Sequence, residues 1–419
     1  MSAENTPDSG VTAFESSIDP LNVVLGGTPL LGRLTGIGRY TLELAKALID
    51  SQVVDDLRLW GDVGFLGDAA LKRHGGNGWD LASSSGKIIW QRPQRLLASA
   101  RAFASSSYYA SKVYQYVSGS IAKCRLRSLS RSHLYHSPNF IMPHFDGAKV
   151  ITIHDLSTIR FPQFHRRQMV AFCESGIHSA VQGQVHVITD SLLVRDELIN
   201  DFGADGNRIS TVHLAPNPRC RPRDEFECRH VLDELGLGHK AFFLSVGTIE
   251  PRKNLCRVFE AFRIGRRGRH FDWPLIIVGA PGWKSRREHE MLSELVKDGL
   301  ALYLDYVTDD TLLALYASAG ALVFPSLYEG FGLPALEAAA CGCPVITSER
   351  SAMAEFTPKG TFLVNPEDVA AINSALLEIS SVSECGSVFD AETQTITRTW
   401  VDVAHETSEV YRAVLRGQC

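Results

Sequence analysis

Short apolar runs alternate with amphipathic stretches of helical spacing along most of this chain, and that alternation confines it to parallel sheets covered by helices on both faces. Leu21–Leu25 reads as a buried strand, followed by a glycine-rich loop from Gly26 to Gly38 and an amphipathic helix from about Arg39 to Ile49. Val150–His154 and Val185–Thr189 read as further strands, and a helix from Leu192 to Phe202 is stopped by Gly203. From Arg219 to about Glu234 the chain becomes charged and poor in apolar residues, and it reads as a linker. The alternation then restarts, with strands at Ala241–Val246, Leu275–Val278, Ala321–Phe324 and Pro344–Thr347, and helices at Asn254–Phe262, Thr311–Ala319 and Pro334–Ala340. Two doubly wound domains follow, in keeping with 419 residues at 45% hydrophobic content, more than one core usually organises. The expected division is a polar, disordered leader over 1–20, a Rossmann-like domain over 21–218, a linker over 219–240, a second Rossmann-like domain over 241–395 and a closing amphipathic helix over 396–419.

Composition excludes several function classes. A net charge of −5 offers no basic field for nucleic acid, and no nucleic-acid-binding module accompanies the chain. Nine scattered cysteines do not form the framework of a small secreted domain, so a reducing compartment is expected, with Cys341 and Cys343 as small core residues. The leader lacks the apolar core of a signal peptide, and no run reaches the roughly 18–20 apolar residues of a membrane span. No G-x-S-x-G elbow, H-E-x-x-H or phosphate loop of the G-x-x-x-x-G-K-[ST] type is present.

Four places carry the chemistry. Ser326-Leu-Tyr-Glu-Gly-Phe-Gly-Leu-Pro-Ala-Leu-Glu337 leaves a buried strand and enters a helix, which is where doubly wound sheets bind ligands. Gly330 and Gly332 allow close backbone approach, Pro334 suits the first helical turn, and a diphosphate is the natural guest of such a terminus. Glu329 and Glu337, eight apart, can face one cleft, although a loop charge and a solvated helix glutamate remain open for them. Val246-Gly-Thr-Ile-Glu-Pro-Arg-Lys-Asn254 repeats the strand, glycine and helix order with Gly247, and it places Arg252 and Lys253 where phosphate oxygens would reward two cations. Gly32, Gly36 and Gly38 precede the first helix and would put another amide-rich helix start in the cleft, or serve only as a tight turn. His154 ends a strand, placed to contact a sugar hydroxyl or to offer its backbone carbonyl to positive charge; His136-Ser-Pro-Asn139 either lines an acceptor side or is a plain loop. Two aspartates separated by one residue, the usual holder of a divalent metal on a diphosphate, occur nowhere, so neither metal nor other cofactor is expected. Between Asp80 and Asp146 there is no acidic residue. Nine cations from Lys87 to Arg131 interleave there with aromatics, which suits an anionic membrane surface or an ordinary helix face.

Taken together, Glu329 to Glu337, Gly247 to Asn254 and Gly36 to Tyr40 resemble the family 4 retaining glycosyltransferases over nearly the whole chain from about residue 21. The resemblance implies a GT-B fold, two Rossmann-like domains with a nucleotide-diphosphate-sugar donor in the cleft and a final helix crossing back to the first domain. It implies that Glu337 binds the ribose, that Glu329 with the backbone of Gly330, Phe331, Gly332 and Leu333 binds the donor sugar, and that Arg252 and Lys253 hold the diphosphate. Gly36, Gly38 and Gly247 would flank the donor and His154 would sit beside the sugar. Gly36-Ile-Gly-Arg-Tyr40, His136-Ser-Pro-Asn139 and Ile153-His-Asp155 are most similar to bacterial mannosyl- and rhamnosyltransferases of O-polysaccharide assembly. Those imply a GDP-linked donor, a lipid-linked saccharide acceptor and a cytoplasmic enzyme peripheral on the inner membrane face. Departures are the long basic segment and Ala215-Pro-Asn217, where relatives often carry a glycine-valine-aspartate turn. Two other readings stay open on the sequence: a sugar-nucleotide epimerase of the same fold, and a non-catalytic saccharide-binding scaffold.

Overall fold

The structure is a computed structural model that describes residues 20–31, 34–61, 63–67, 108–140, 142–183, 185–356, 361–384 and 396–417, with the side chains of 108–116 and 382–384 left out. Gly32, the leader over 1–19 and the basic residues Lys87, Arg92, Arg95 and Arg101 lie outside that set.

Two six-stranded, wholly parallel sheets form the molecule. The first contains β1 (Asn22–Gly26), β2 (Asp56–Trp60), β3 (Leu134–Ser137), β4 (Lys149–Ile153), β5 (His186–Thr189) and β6 (Ile209–Thr211), in the order β2-β1-β3-β4-β5-β6. The second contains β7 (Phe243–Val246), β8 (Leu275–Val278), β9 (Ala301–Leu304), β10 (Ala321–Phe324), β11 (Val345–Ser348) and β12 (Phe362–Val364), in the order β12-β11-β10-β7-β8-β9. These are the two Rossmann-like domains of the GT-B fold. Their central strands are buried end to end, because helices cover both faces: β4 reads Val150 to Ile153 and β8 reads Leu275 to Val278 without an exposed residue.

The first helix, α1 (Gly36–Asp50), starts earlier than its sequence suggests. Gly36 and Gly38 stand in its opening turn rather than in a preceding loop, with Thr35 extended at the N-cap. α2 (Tyr108–Leu126), α3 (Arg167–Gln182) and α4 (Leu192–Phe202) also belong to the first domain, and Gly203 ends α4 in the left-handed conformation at φ 65°.

The expected linker over 219–240 is corrected by α5 (Glu225–Leu235). Asp224 and Glu227 form a reciprocal capping box, and Cys228 and Leu232 enter the second domain's core beside Leu313, Ala314 and Ala317. The charges that suggested a linker are the solvent face of an amphipathic helix. The second domain continues with α6 (Leu255–Arg267), α7 (Arg286–Lys297), α8 (Asp309–Ser318), α9 (Leu333–Ala340) and α10 (Val369–Glu384). Finally α11 (Trp400–Leu415) returns to the first domain, where Trp400, Val403 and Tyr411 join a core with Tyr40, Leu44 and Leu48 of α1. The Trp400 indole donates to the Pro216 carbonyl at 3.0 Å.

The carboxyl ends of both sheets meet. Ser191, after β5, donates to the Gly330 carbonyl at 2.7 Å, and the Tyr328 hydroxyl donates to Glu197 at 2.6 Å. Arg39 of α1 pairs with Asp309 of α8 at 3.0 Å. Glu355 of the second domain accepts the Leu192 and Leu193 amides at 2.8 Å each, placing a carboxylate on the N-terminus of α4. The molecule is therefore closed around the cleft.

Candidate active site between the domains

β7 pairs with both β8 and β10, so the strand order reverses between β7 and β10. A crevice opens beyond such a reversal, and the two loops that leave β7 and β10 converge in it. They carry Gly247 to Asn254 and Pro325 to Gly332.

Four charged side chains from these loops form one buried group. The Arg252 guanidinium contacts Glu250 at 2.7 Å and Glu329 at 2.9 Å, and it donates to the Tyr328 carbonyl at 2.7 Å. The Lys253 ammonium contacts the same Glu329 oxygen at 2.7 Å and lies 4.5 Å from the centre of the Phe324 ring. Burial disfavours the Glu329 carboxylate, but Arg252 and then Lys253 outweigh it and hold the carboxyl at about 2. Burial depresses Lys253, with Glu329 opposing. Glu329 and Lys253 thus rely on the charges beside them against the burial that disfavours their ionised forms. Two acids balance two bases here. The two cations are aimed at one point, currently held by Glu329, and they are the donors an anionic diphosphate would meet.

The backbone around them is shaped for close approach. Gly247 has φ 140°, and a Cβ there would stand 3.3 Å from Lys253 Cε. Gly332 has φ 102°, N-caps α9, and a Cβ on it would stand 2.4 Å from Met353. Just beyond it, the first amides of α9 have no partner within the helix. Gly330 meets the first domain directly: a Cβ on it would lie 1.9 Å from the His154 carbonyl oxygen and 2.6 Å from the Asp155 Cβ. Phe331 differs from its neighbours. Its ring stacks on Phe356 at 4.4 Å within the core of the first domain, so it anchors the loop. Leu333 packs against the same core.

His154 is fixed from both sides. Its Nδ1 donates to Asp190 at 2.6 Å and its Nε2 to the Pro138 carbonyl at 2.9 Å, so the ring carries two N–H groups. Burial opposes the imidazolium, but the charge and hydrogen bond of Asp190 raise it above the ordinary histidine value. No ring nitrogen is left for a sugar hydroxyl, and the group His154 turns to the Gly330 loop is its backbone carbonyl. Beneath it runs a buried chain. Tyr411 of α11 meets His136 Nδ1 at 2.6 Å, His136 Nε2 meets Thr152 at 2.8 Å, Thr152 meets the Tyr40 hydroxyl at 3.0 Å, and the Tyr40 ring stands edge-on to His154 at 4.7 Å. His136, pushed down to about 3 by burial, is a neutral member of this chain rather than a residue facing the cleft.

Glu337 occupies a separate, buried position on α9. Its carboxylate accepts from Tyr316 at 3.4 Å, and burial raises its pKa against the pull of Arg39. Gly36 has open space beside it, whereas a Cβ on Gly38 would stand 2.9 Å from Leu34 and 3.0 Å from the Pro29 carbonyl. Among the described residues no group of histidine, cysteine, aspartate or glutamate is arranged to hold a metal ion.

Three participants escaped the sequence reading. Asp190 follows β5 just as His154 follows β4, and that parallel was available as a signal. Glu250 lies inside the loop read for its cations. Glu355 sits in a 3₁₀ turn, Ala352–Glu355, with no motif to mark it.

The model of the family described as glycosyl transferases group 1 matches residues 233–386. The chain is 31% identical over 359 residues to O-antigen chain mannosyltransferase B of Escherichia coli, covering 85% of this chain and 90% of that protein. It is 28% identical over 243 residues to O-antigen chain mannosyltransferase RfbU of Salmonella typhimurium, covering 58% of this chain and 64% of that one. Among solved structures, WaaG, a glycosyltransferase involved in lipopolysaccharide biosynthesis, superposes with a TM-score of 0.66 at 14% identity, over 93% of this chain and 99% of that chain.

Proposed function

Because this chain belongs to the group 1 glycosyl transferases and is a glycosyltransferase, we propose that it moves mannose from GDP-mannose to a lipid-linked saccharide, with retention and without a metal, in the synthesis of a cell-surface polysaccharide. The observation that carries the donor chemistry is the pair of buried cations, Arg252 and Lys253, converging on one carboxylate oxygen at the switch point of the second sheet. Likeness to the Escherichia coli and Salmonella typhimurium O-antigen mannosyltransferases supports the sugar and the pathway class.

In this reading the bond between the sugar C1 and the diphosphate oxygen breaks while the acceptor oxygen bonds to C1 on the same face. The acceptor proton passes to the departing phosphate, so GDP leaves carrying it. Arg252, Lys253 and the start of α9 stabilise the charge that gathers on that phosphate. Contacts of this kind are worth about 3–4 kcal/mol each in a preorganised site. Glu329 exchanges its ion pairs for the sugar hydroxyls as the diphosphate takes over the cations, Glu337 holds the ribose, and the His154 carbonyl faces C1. The exposed Lys123, Arg125, Arg127 and Arg131, at and after the end of α2, support attachment to the inner, anionic face of the cytoplasmic membrane. No described helix is long and apolar enough to cross a membrane.

The test is incubation with GDP-, UDP- and ADP-sugars and a lipid-linked saccharide extract in the presence of EDTA. Release of GDP from GDP-mannose is expected to be slow without acceptor, as hydrolysis by water, and to rise sharply when acceptor is added. A strict requirement for Mg²⁺ overturns the metal-free account, isomerisation of the donor to another sugar nucleotide without release of GDP favours an epimerase, and silence with every donor removes the reading. Retention of the protein on anionic vesicles, lost at high salt, checks the membrane contact.

A further inference from the structure

One of the surfaces by which the first domain meets the second is a wall formed by the segment from Asp155 to His165. Phe161 and Phe164 stack on each other at 5.5 Å, and Phe161 reaches Tyr328 of the Glu329 loop at 6.1 Å. At the other end of the wall, Lys284 of the loop after β8 donates to the Gln163 and His165 carbonyls at 2.7 Å each, and the neighbouring Trp283 ring lies 6.0 Å from the His165 ring. His165 is therefore pinned by its backbone between two loops of the donor domain.

Its side chain is left unsatisfied. The residue is only 6% exposed, and among the described residues its Nε2 has no hydrogen-bond partner. A buried polar atom without a partner costs about 1–3 kcal/mol, so a fold that keeps one needs a reason. Three other histidines hold an orphaned ring nitrogen, but their surroundings differ. The charged group that acts on His186 is Arg208, and those that act on His239 are Lys240, Glu225 and Asp224, all remote from the cleft. His289 lies on α7 of the second domain. The charges that act on His165 are Glu250, Asp155, Arg252 and Lys284, drawn from both domains and including the cation that would hold the diphosphate. Burial lowers its pKa, so at neutral pH the ring is an uncharged imidazole with one donor and one acceptor nitrogen. Such a group neither repels the donor's phosphates nor competes for Arg252, and it suits a neutral hydroxyl.

We infer that His165 is an acceptor contact: its Nε2 hydrogen-bonds a hydroxyl of the acceptor saccharide, which enters between the Asp155–His165 wall and the Trp283–Lys284 loop when Lys284 releases the Gln163 and His165 carbonyls. The inference deepens the proposed transfer reaction and rests on it. Lys284 then acts as the clasp of the acceptor entrance, and Trp283, 39% exposed, offers an apolar face beside the same entrance for a sugar ring.

The experiment measures transfer from GDP-mannose to two acceptors, octyl α-mannoside and the lipid-linked saccharide extract, alongside donor hydrolysis without acceptor. For His165→Ala the acceptor KM is expected to rise about tenfold, the worth of one good hydrogen bond, while donor KM and hydrolysis stay within about twofold. His165→Gln, whose amide reaches the place of Nε2, should recover most of the acceptor KM. If His165→Ala does not fold, His165→Gln and His165→Leu decide instead: the expected result is a low acceptor KM for the first and a high one for the second. An unchanged acceptor KM in the alanine or leucine variant overturns the inference, and so does a parallel rise of donor KM or loss of hydrolysis. A wild-type enzyme that transfers from no donor to either acceptor instead removes the proposed reaction, and the inference falls with it.

Discussion

Replacing Glu329 by glutamine keeps the shape of the donor site but takes away the carboxylate that Arg252 and Lys253 share. In the folded protein Glu329 titrates at about 2 rather than the ordinary 4.5, which at about 1.4 kcal/mol per tenfold of proton affinity amounts to about 3 kcal/mol of stability at neutral pH. The general cost of stripping one partner from a buried ion pair, about 3–5 kcal/mol, is of the same size. Because the folded-state value is depressed, this stability is fully present above pH 4.5 and is lost as the pH falls toward 2. At about 2.1 cal/mol/K of unfolding entropy per residue over 419 residues, Glu329→Gln should therefore unfold roughly 3–4 °C below wild type at pH 7. In urea titrations the gap between the two should narrow steadily from pH 5 to pH 3. GDP, which brings a diphosphate to the two uncovered cations but no sugar, should raise the melting temperature of the variant more than that of wild type, even though transfer from GDP-mannose collapses. Equal stabilities at pH 7, a gap that does not respond to acid, or a smaller GDP effect in the variant would each refute the account of Glu329 as the occupant of the phosphate position.

Three further outcomes are expected. Gly330→Ala puts a Cβ 1.9 Å from the His154 carbonyl oxygen, so closure is blocked; kcat/KM should fall by at least about a hundredfold, with far-ultraviolet circular dichroism unchanged and a larger radius of gyration in X-ray scattering. Asp190→Asn withdraws the charge that raises His154: the raised value contributes stability that is full below about pH 6.5 and lost as pH rises through it, so the variant's histidine should titrate below 6.5 by NMR, and an unmoved His154 signal would count against the pairing. Glu355→Gln weakens the carboxylate cap on α4 and its 3.1 Å contact with His213; a loss of about 1–2 kcal/mol in denaturant stability is expected, together with a higher donor KM and a more open molecule in scattering, and identical scattering profiles would remove the latch.

Strands and helices of both domains were legible because buried parallel strands need continuous apolar runs and their covering helices need one apolar face, and both are local patterns. Leu275–Val278 and Ala321–Phe324 have the expected limits, and so does the helix Leu192–Phe202, while the closing helix, Trp400–Leu415, falls inside the expected 396–419. The helix at 225–235 was hidden by its own charge, since polar side chains on a solvated face look like those of a linker until Cys228 and Leu232 are seen in the core. Its capping box, Asp224 with Glu227, was the readable clue. At 36–38 the helix starts where glycine propensity argues against one, because α11 packs on α1 and tertiary contact overrides local preference.

The sequence by itself determined the kinds of residue at the site and the strand ends that carry them: a glycine and two cations after β7, a glutamate and two glycines after β10, a histidine after β4. Only the tertiary structure decided which of these touch. β7 lies beside β10 although 74 residues, 247–320, lie between the last residue of β7 and the first of β10; that neighbourhood alone brings Arg252 and Lys253 onto Glu329. Domain closure then sets Gly330 against His154, Glu355 on α4 and His165 among the charges of the opposite domain. Strand order and domain closure arise from packing between surfaces far apart in the chain, and no local pattern of side chains encodes them in a form that can be read one segment at a time.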